Sequence, residues 1–209
     1  MIKIGIGGIA GAGKSTVCDF FKADGAYVIN LDAVAHELYS SDKSATHKQI
    51  VKTFSQRVPG LTGQSGLINR KALGSFVFKN RAALDELNAI FYNQFNEYIK
   101  DKISILAQSA DPPQFFVLDA AVLFDSGLYK IMDRNIWVTA RKDLLIERLM
   151  KLRNVDERYA KNMIETQVSS FEKQENKADF IIENDFSLDK LRLLYHNITK
   201  EISINVKNI

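Results

Sequence analysis

The chain of 209 residues contains a single cysteine, Cys18. One cysteine excludes an internal disulfide framework and fits a reducing compartment. No apolar run approaches the roughly 20 residues needed to span a bilayer. The opening residues, MIKIGIGGIAGAGK, hold only a short apolar run broken by glycines. They read as a strand entering a functional loop, not as a secretory signal. A strong charge of either sign is also missing. The net charge of +3 and a pI of ≈ 8.8 are too mild to argue for nucleic acid, but they suit a small polyanionic ligand. Repeats and low-complexity tracts are absent. What is present is globular, with 46% hydrophobic and 25% charged residues, and long enough for one domain with a substantial core. The expectation is a soluble cytoplasmic monomer with neither a nucleic-acid nor a membrane partner.

Short apolar runs alternate with longer amphipathic stretches. Strands are expected at 2–8, 26–32, 114–120, 134–140 and 178–184, with a helix from Lys14 to Ala23. Five such strands with helical crossovers predict an α/β fold: a five-stranded parallel sheet with helices on both faces. The middle differs. PGLTGQSG (59–66) is a punctuated loop. Beyond it Leu84, Leu87, Phe91, Phe95, Tyr98, Ile99, Ile103 and Leu106 recur at helical spacing, with Asn80 as a plausible N-cap. The single domain 1–209 therefore divides into a core (1–55, 111–140 and 168–209), a helical insertion (56–110) on the acceptor side and a helical lid (141–167).

Gly8-Ile9-Ala10-Gly11-Ala12-Gly13-Lys14-Ser15 matches G-x-x-x-x-G-K-[ST], between a strand and a helical pattern. Gly8, Gly11, Ala12 and Gly13 let backbone N–H groups face phosphates at the positive end of a helix. Lys14 would reach the β and γ phosphates of ATP, and Ser15, followed by Thr16, would ligate Mg²⁺ through its hydroxyl. The fold class is thus a P-loop NTPase fold. Asp119 closes the apolar run QFFVLD, the usual place in this fold for an acid that holds the metal directly or through water.

NKAD (176–179) has the spacing with which GTPases read guanine. It precedes the apolar run FIIE, the wrong end of a strand for a ligand contact. No D-x-x-G accompanies it and no Ser-Ala-Lys follows, so a GTP switch is rejected. Asn184, just past FIIE, is at the correct end and can offer its amide to a base edge.

On the acceptor side, VINLDAVAHEL puts Asp32 at the carboxyl end of strand two, which faces the same crevice as the phosphate loop. A carboxylate there can orient an attacking hydroxyl and accept its proton, so Asp32 is the candidate general base; the alternative is an N-cap for the next helix. Arg70 in GLINRKAL leaves a loop and can fork onto a phosphate. In RKDLLIERLMKLRN, Leu144, Leu145, Leu149 and Leu152 form one stripe at roughly 100° per residue, and Arg148 falls about 40° from its middle. An inward guanidinium needs an anion or must snorkel out. Arg153 lies on the rim beside NVDE, where Asp156 can cap the following helix. The pair of helices is lid-like, closing on ATP phosphates.

With these residues placed, the chain resembles the dephospho-coenzyme A kinases over nearly its whole length. That family joins the phosphate loop to an Asp after strand two and a G-x-[LI]-x-R-x-x-L segment, here GLINRKAL. Next come an Asp-x-Pro-Leu-Leu-Phe-Glu strand end, here DAAVLFD, then R-L-x-x-R, here RLMKLR, a Gln ending the lid helix (Gln167), and K-x-A-D-x-x-I-x-N, here KADFIIEN. The resemblance accounts for NKAD. It implies transfer of the ATP γ-phosphate to the ribose 3′-hydroxyl of dephospho-CoA, with Mg²⁺ and ATP, Asp32 as base, Arg70 and the lid arginines Arg148 and Arg153 on phosphates, and Asn184 near adenine. The sequence departs from the family at Asn30, His36, Tyr92, Asn93, Ala121 and Asp125, which cluster on the acceptor side; Tyr92 and Asp125 are assigned to acceptor binding. A P-loop kinase of another small hydroxyl, such as a nucleoside, and a nucleotide-binding regulatory module without turnover are the alternatives.

Overall fold

A computed structural model describes residues 1–40, 44–63, 65–172 and 175–206. In chain order the elements are β1 (Ile2–Gly8), α1 (Lys14–Ala23), β2 (Tyr27–Asn30), α2 (Leu31–Ser40), α3 (Ala45–Phe54), α4 (Arg70–Val77), α5 (Arg81–Ala107), β3 (Phe115–Asp119), β4 (Arg134–Thr139), α6 (Lys142–Arg153), α7 (Glu157–Glu172), β5 (Phe180–Glu183) and α8 (Leu188–Val206). Short 3₁₀ turns cover Leu128–Ile131 and Glu175–Lys177. The chain forms two compact units, Met1–Ile29 with Ala107–Ile209, and Asn30–Leu106.

The first unit is built on a five-stranded sheet in the order β2-β3-β1-β4-β5. Crossover order of this kind requires helices on the faces, and the strands read as continuous apolar runs because both faces are covered. Ile4 and Ile6 of β1 are fully buried, as are Phe116, Val117 and Leu118 of β3. On one face Phe21 of α1 meets Tyr195 of α8 edge to face at 4.8 Å, and the Tyr195 hydroxyl donates to Asp24 at 2.6 Å. On the other, Trp137 of β4 stacks on Phe171 of α7, with centroids 4.0 Å apart and planes 3° apart. Gly7 makes this possible, since a Cβ there would lie 2.9 Å from the Trp137 ring.

β1 pairs in parallel with both β3 and β4, and its Ile6 stands opposite Asp119 and Ile136. That register brings the end of β3 level with the end of β1, where the phosphate loop begins.

The second unit packs α2 to α5 around Phe54, Ile50, Leu73 and Ile99. Its helices start on side-chain caps, as the orphan N–H groups of a first turn demand. Ser44 accepts from His47 N–H, Asn69 from Ala72 N–H and Asn80 from Ala83 N–H. The Asn80 cap and the long α5 are as the periodicity predicts.

Two expectations need correction. β2 ends at Asn30, not Asp32, because the chain turns helical at Leu31. Asp32 is therefore in the first turn of α2, and the cap is Asn30, whose Oδ1 accepts from Ala33 N–H at 2.9 Å. The apolar stripe of α6 is shorter than expected. Leu145 and Leu149 are buried, but Leu152 is 74% exposed, because the helix stops at Arg153 and Asn154 turns left-handed at φ 51. Gln64 of the punctuated loop, and Lys173 and Gln174 before NKAD, lie outside the described residues.

Candidate active site

Gly8 ends β1 and Lys14 opens α1, so residues 9–13 form the turn between them. Gly11 and Gly13 sit at φ 80 and 90, a region that a side chain reaches only at a cost of roughly 1–2 kcal/mol. Gly13 supplies no side-chain cap to α1, which leaves the first-turn N–H groups to an anion. Space is also closed at both glycines. A Cβ on Gly11 would meet the Leu145 carbonyl at 3.1 Å, and one on Gly13 would lie 2.4 Å from the Asn184 amide nitrogen.

Asn184 explains that closeness. Its Nδ2 donates to the Ala12 carbonyl at 2.8 Å, from 172 residues away. Its backbone N–H donates to Thr139 O at 2.8 Å, and its carbonyl accepts from Arg148 Nη1 at 3.0 Å. The residue that sequence reasoning aims at a base edge is thus also a brace under the loop. Arg148 finds a backbone carbonyl as its acceptor, and its Cβ stands over Gly11. The substitution Gly13→Ala combines φ strain with this clash. It is expected to lower Tm by about 2–8 °C, at about 2–4 °C per kcal/mol for a chain of this size, and to weaken ATP binding at least tenfold. Calorimetry and equilibrium ATP titration check both.

Lys14 and Asp119 form an ion pair. Both side chains are largely buried, so each charge requires the other until a ligand replaces it. Cys18 follows one turn after Lys14. Burial, and then the charge of Asp119, push its thiol up to about 12. A thiol held neutral is a poor nucleophile. Native protein should therefore resist a disulfide reagent at pH 8, while denatured protein should react with one equivalent. Fast native labelling would contradict the packing around α1.

A cleft of ≈ 230 Å³ opens beside the loop, lined by Gly8, Ile9, Asp125, Trp137, Gln167 and Phe171 among others. Its polar groups, Asp125 and Gln167, face three aromatic walls, since Phe124 also lines it. Gln167 Oε1 accepts from Ala10 N–H at 2.8 Å. The Trp137 indole N–H is buried without a partner among the described residues.

The first unit therefore brings together Gly8, Gly11, Ala12, Gly13, Lys14, Ser15, Thr16, Asp119, Arg148 and Asn184 around one loop, with Asp125 in the adjoining cleft. Arg153 ends α6, where its guanidinium reaches the Met163 sulfur at 3.8 Å, and Asp156 caps α7 through Tyr159 N–H at 2.7 Å. Asp32, Arg70 and Tyr92 belong to the second unit, in α2, at the first residue of α4 and within α5. Sequence reasoning gave no role to Gln167 beyond its place in the family pattern, and none to Trp137.

NKAD is structural. Asp179 precedes β5 and its carboxylate accepts from Asn135 N–H at 2.7 Å, while its own N–H donates to Asn135 O at 2.8 Å. It ties β5 to β4 at the end opposite the phosphate loop.

No group of three or more His, Cys, Asp or Glu gathers as a metal cage among the described residues. Ser15 and Asp119 offer hard oxygen donors, which fits Mg²⁺ arriving with a nucleotide that supplies most of its ligands together with water. Among the described residues no helix is long and apolar enough to cross a membrane.

A family model described as Dephospho-CoA kinase matches residues 2–190. The chain is 30% identical to the Dephospho-CoA kinase of Aquifex aeolicus, over 96% of this chain and all of that one. It is 32% identical to the Dephospho-CoA kinase of Bacillus licheniformis, over 94% of each. The solved structure of Dephospho-CoA kinase from Campylobacter jejuni superposes with a TM-score of 0.68 at 26% identity, covering 97% of this chain and 98% of that one. A phosphate loop braced by Asn184, an acid at the end of β3 and a match from residue 2 to residue 190 lead to one conclusion: the chain belongs to the dephospho-CoA kinase family.

Proposed function

We propose that the chain transfers the γ-phosphoryl group of ATP to the ribose 3′-hydroxyl of dephospho-CoA, giving CoA and ADP. The observation that carries this is the Lys14–Asp119 pair at a phosphate loop, in a chain of this family. The acceptor oxygen attacks the γ-phosphorus, the bond to the β–γ bridging oxygen breaks, and ADP leaves. Phosphoryl transfer asks the protein mainly for positioning and charge stabilisation. Loop N–H groups between Gly11 and Thr16 hold the phosphates. Phosphate oxygens take Lys14 over from Asp119. Ser15 and Asp119, directly or through water, would hold Mg²⁺, which when bound neutralises charge on the β and γ oxygens. Arg148 and Arg153 add positive charge from the lid, and Asn184 stands near the adenine of ATP while bracing the loop.

Asp32 receives the proton of the acceptor hydroxyl. Arg70, Tyr92 and Asp125 bind the acceptor, with Asp125 in the cleft wall beside Gly8. The core, insertion and lid divide these tasks within one domain. The same reading makes the chain a cytoplasmic monomer that acts on small molecules, not on nucleic acid or a membrane.

A coupled ADP-release assay tests the acceptor. ADP release is expected with dephospho-CoA and not with a panel of nucleosides. Turnover of a nucleoside in preference to dephospho-CoA would overturn the assignment.

A further inference from the structure

Two of the contacts that hold the phosphate loop from outside adjoin one another. The Ala12 carbonyl accepts from Asn184, and the Ala10 N–H donates to Gln167 Oε1 at 2.8 Å. Between them lies Gly11, in the left-handed region at φ 80. The second tie comes from α7, at a sequence separation of 157 residues. It is not an isolated contact. Residues four apart share a helix face, and Phe171, on the Gln167 face, lies flat on Trp137 at 4.0 Å and 3°. Gly7, the residue before the loop's first glycine, leaves room for that indole. Helix α7 is thus docked at two points, one polar on the loop and one aromatic on β4. It also packs on α6, which carries Arg148.

We propose that Gln167 is a positioning residue for phosphoryl transfer. Through Ala10 it sets the curvature of the phosphate loop, and it does so only while the Phe171–Trp137 stack keeps α7 docked. Gln167 and Phe171 then act as one unit. Misplacing transition-state donors costs rate more than it costs ground-state binding. The inference rests on the kinase activity proposed above, so wild-type turnover is measured in parallel; an inactive wild type would indict that activity and not Gln167.

The test is a double-mutant cycle of Q167M, which keeps length but loses the amide oxygen, and F171L, which loses the stack. Each single variant is expected to lower kcat by about 10- to 100-fold, with the KM for ATP within about threefold of wild type. Residues acting as a unit are non-additive, so the double variant should fall no more than about threefold below the worse single one. Trp137 is the only tryptophan, and its emission reports docking directly. Loss of the stack in F171L should expose the indole and shift its emission to the red, while Q167M, which keeps the stack, should leave the emission near that of wild type. Wild-type kcat in Q167M, losses that multiply in the double variant, or an emission unchanged in F171L would each overturn the proposal. Gln167 is only partly buried, so Q167M is expected to fold, and F171L probes the same unit from its other end.

Discussion

Replacing Lys14 with alanine is expected to lower kcat by about a thousandfold, the rate equivalent of roughly 4 kcal/mol of lost charge stabilisation on the transferring phosphoryl group. The sequence alone suggests that this change leaves the chain folded, because the residue sits in a glycine-rich loop and should carry no core packing. The structure adds a consequence. Lys14 pairs with Asp119, which is 5% exposed, and removing one member of a buried pair costs about 3 kcal/mol or more. Tm should then fall by about 6–12 °C, at about 2–4 °C per kcal/mol. The two losses can be separated. Adding Asp119→Asn to Lys14→Ala removes the buried negative charge that Lys14 offsets, so it should restore most of the Tm and none of the kcat. Near-wild-type turnover in folded Lys14→Ala would sink the phosphate-loop assignment. A double variant that melts no higher than the single one would show that the Asp119 charge is not what destabilises Lys14→Ala.

Asp32→Asn is expected to lower kcat by about 10²- to 10⁴-fold, the usual range for a general base. In a loose transition state the proton leaves late, so positioning of the hydroxyl supplies much of that effect. The variant keeps the size of the side chain. It also leaves the start of α2 intact, because Asn30 and not Asp32 caps that helix. A Tm within a few degrees of wild type and an unchanged ATP affinity are therefore expected alongside the fall in kcat. Measured on one preparation, a kcat within threefold of wild type would remove Asp32 from the chemistry and direct attention to Asp119 and Asp125.

Local patterns carried most of the fold. The phosphate loop announces its own strand and helix, and α1 runs from Lys14 to Ala23 as its pattern predicts. Asn80 begins α5 because an Asn before a periodic run satisfies orphan N–H groups. Strand polarity, together with the missing D-x-x-G and Ser-Ala-Lys, rejects NKAD as a base reader, and the Asp179–Asn135 pairing shows what it does instead. The contacts that were not legible are those between distant segments. Nothing near Asn184 says that its amide will reach Ala12, and nothing near Gln167 points to Ala10. The glycine at position 7 looks like part of a loose strand end until Trp137 is seen filling the space above it. Leu152 fits the helical stripe by angle, yet an αL residue after Arg153 ends the helix before that turn can be covered. Periodicity reports which face is apolar, not where the partner surface stops.

The most direct measurement is identification of the product. Purified chain is incubated with Mg²⁺, ATP and dephospho-CoA, and ADP, phosphorylated acceptor and the position of the new phosphate are determined together by chromatography and ³¹P NMR. The predicted result is one equivalent of CoA per ADP, phosphorylated at the ribose 3′ position. ADP appearing without a phosphorylated acceptor, or phosphate on any other position, would contradict it.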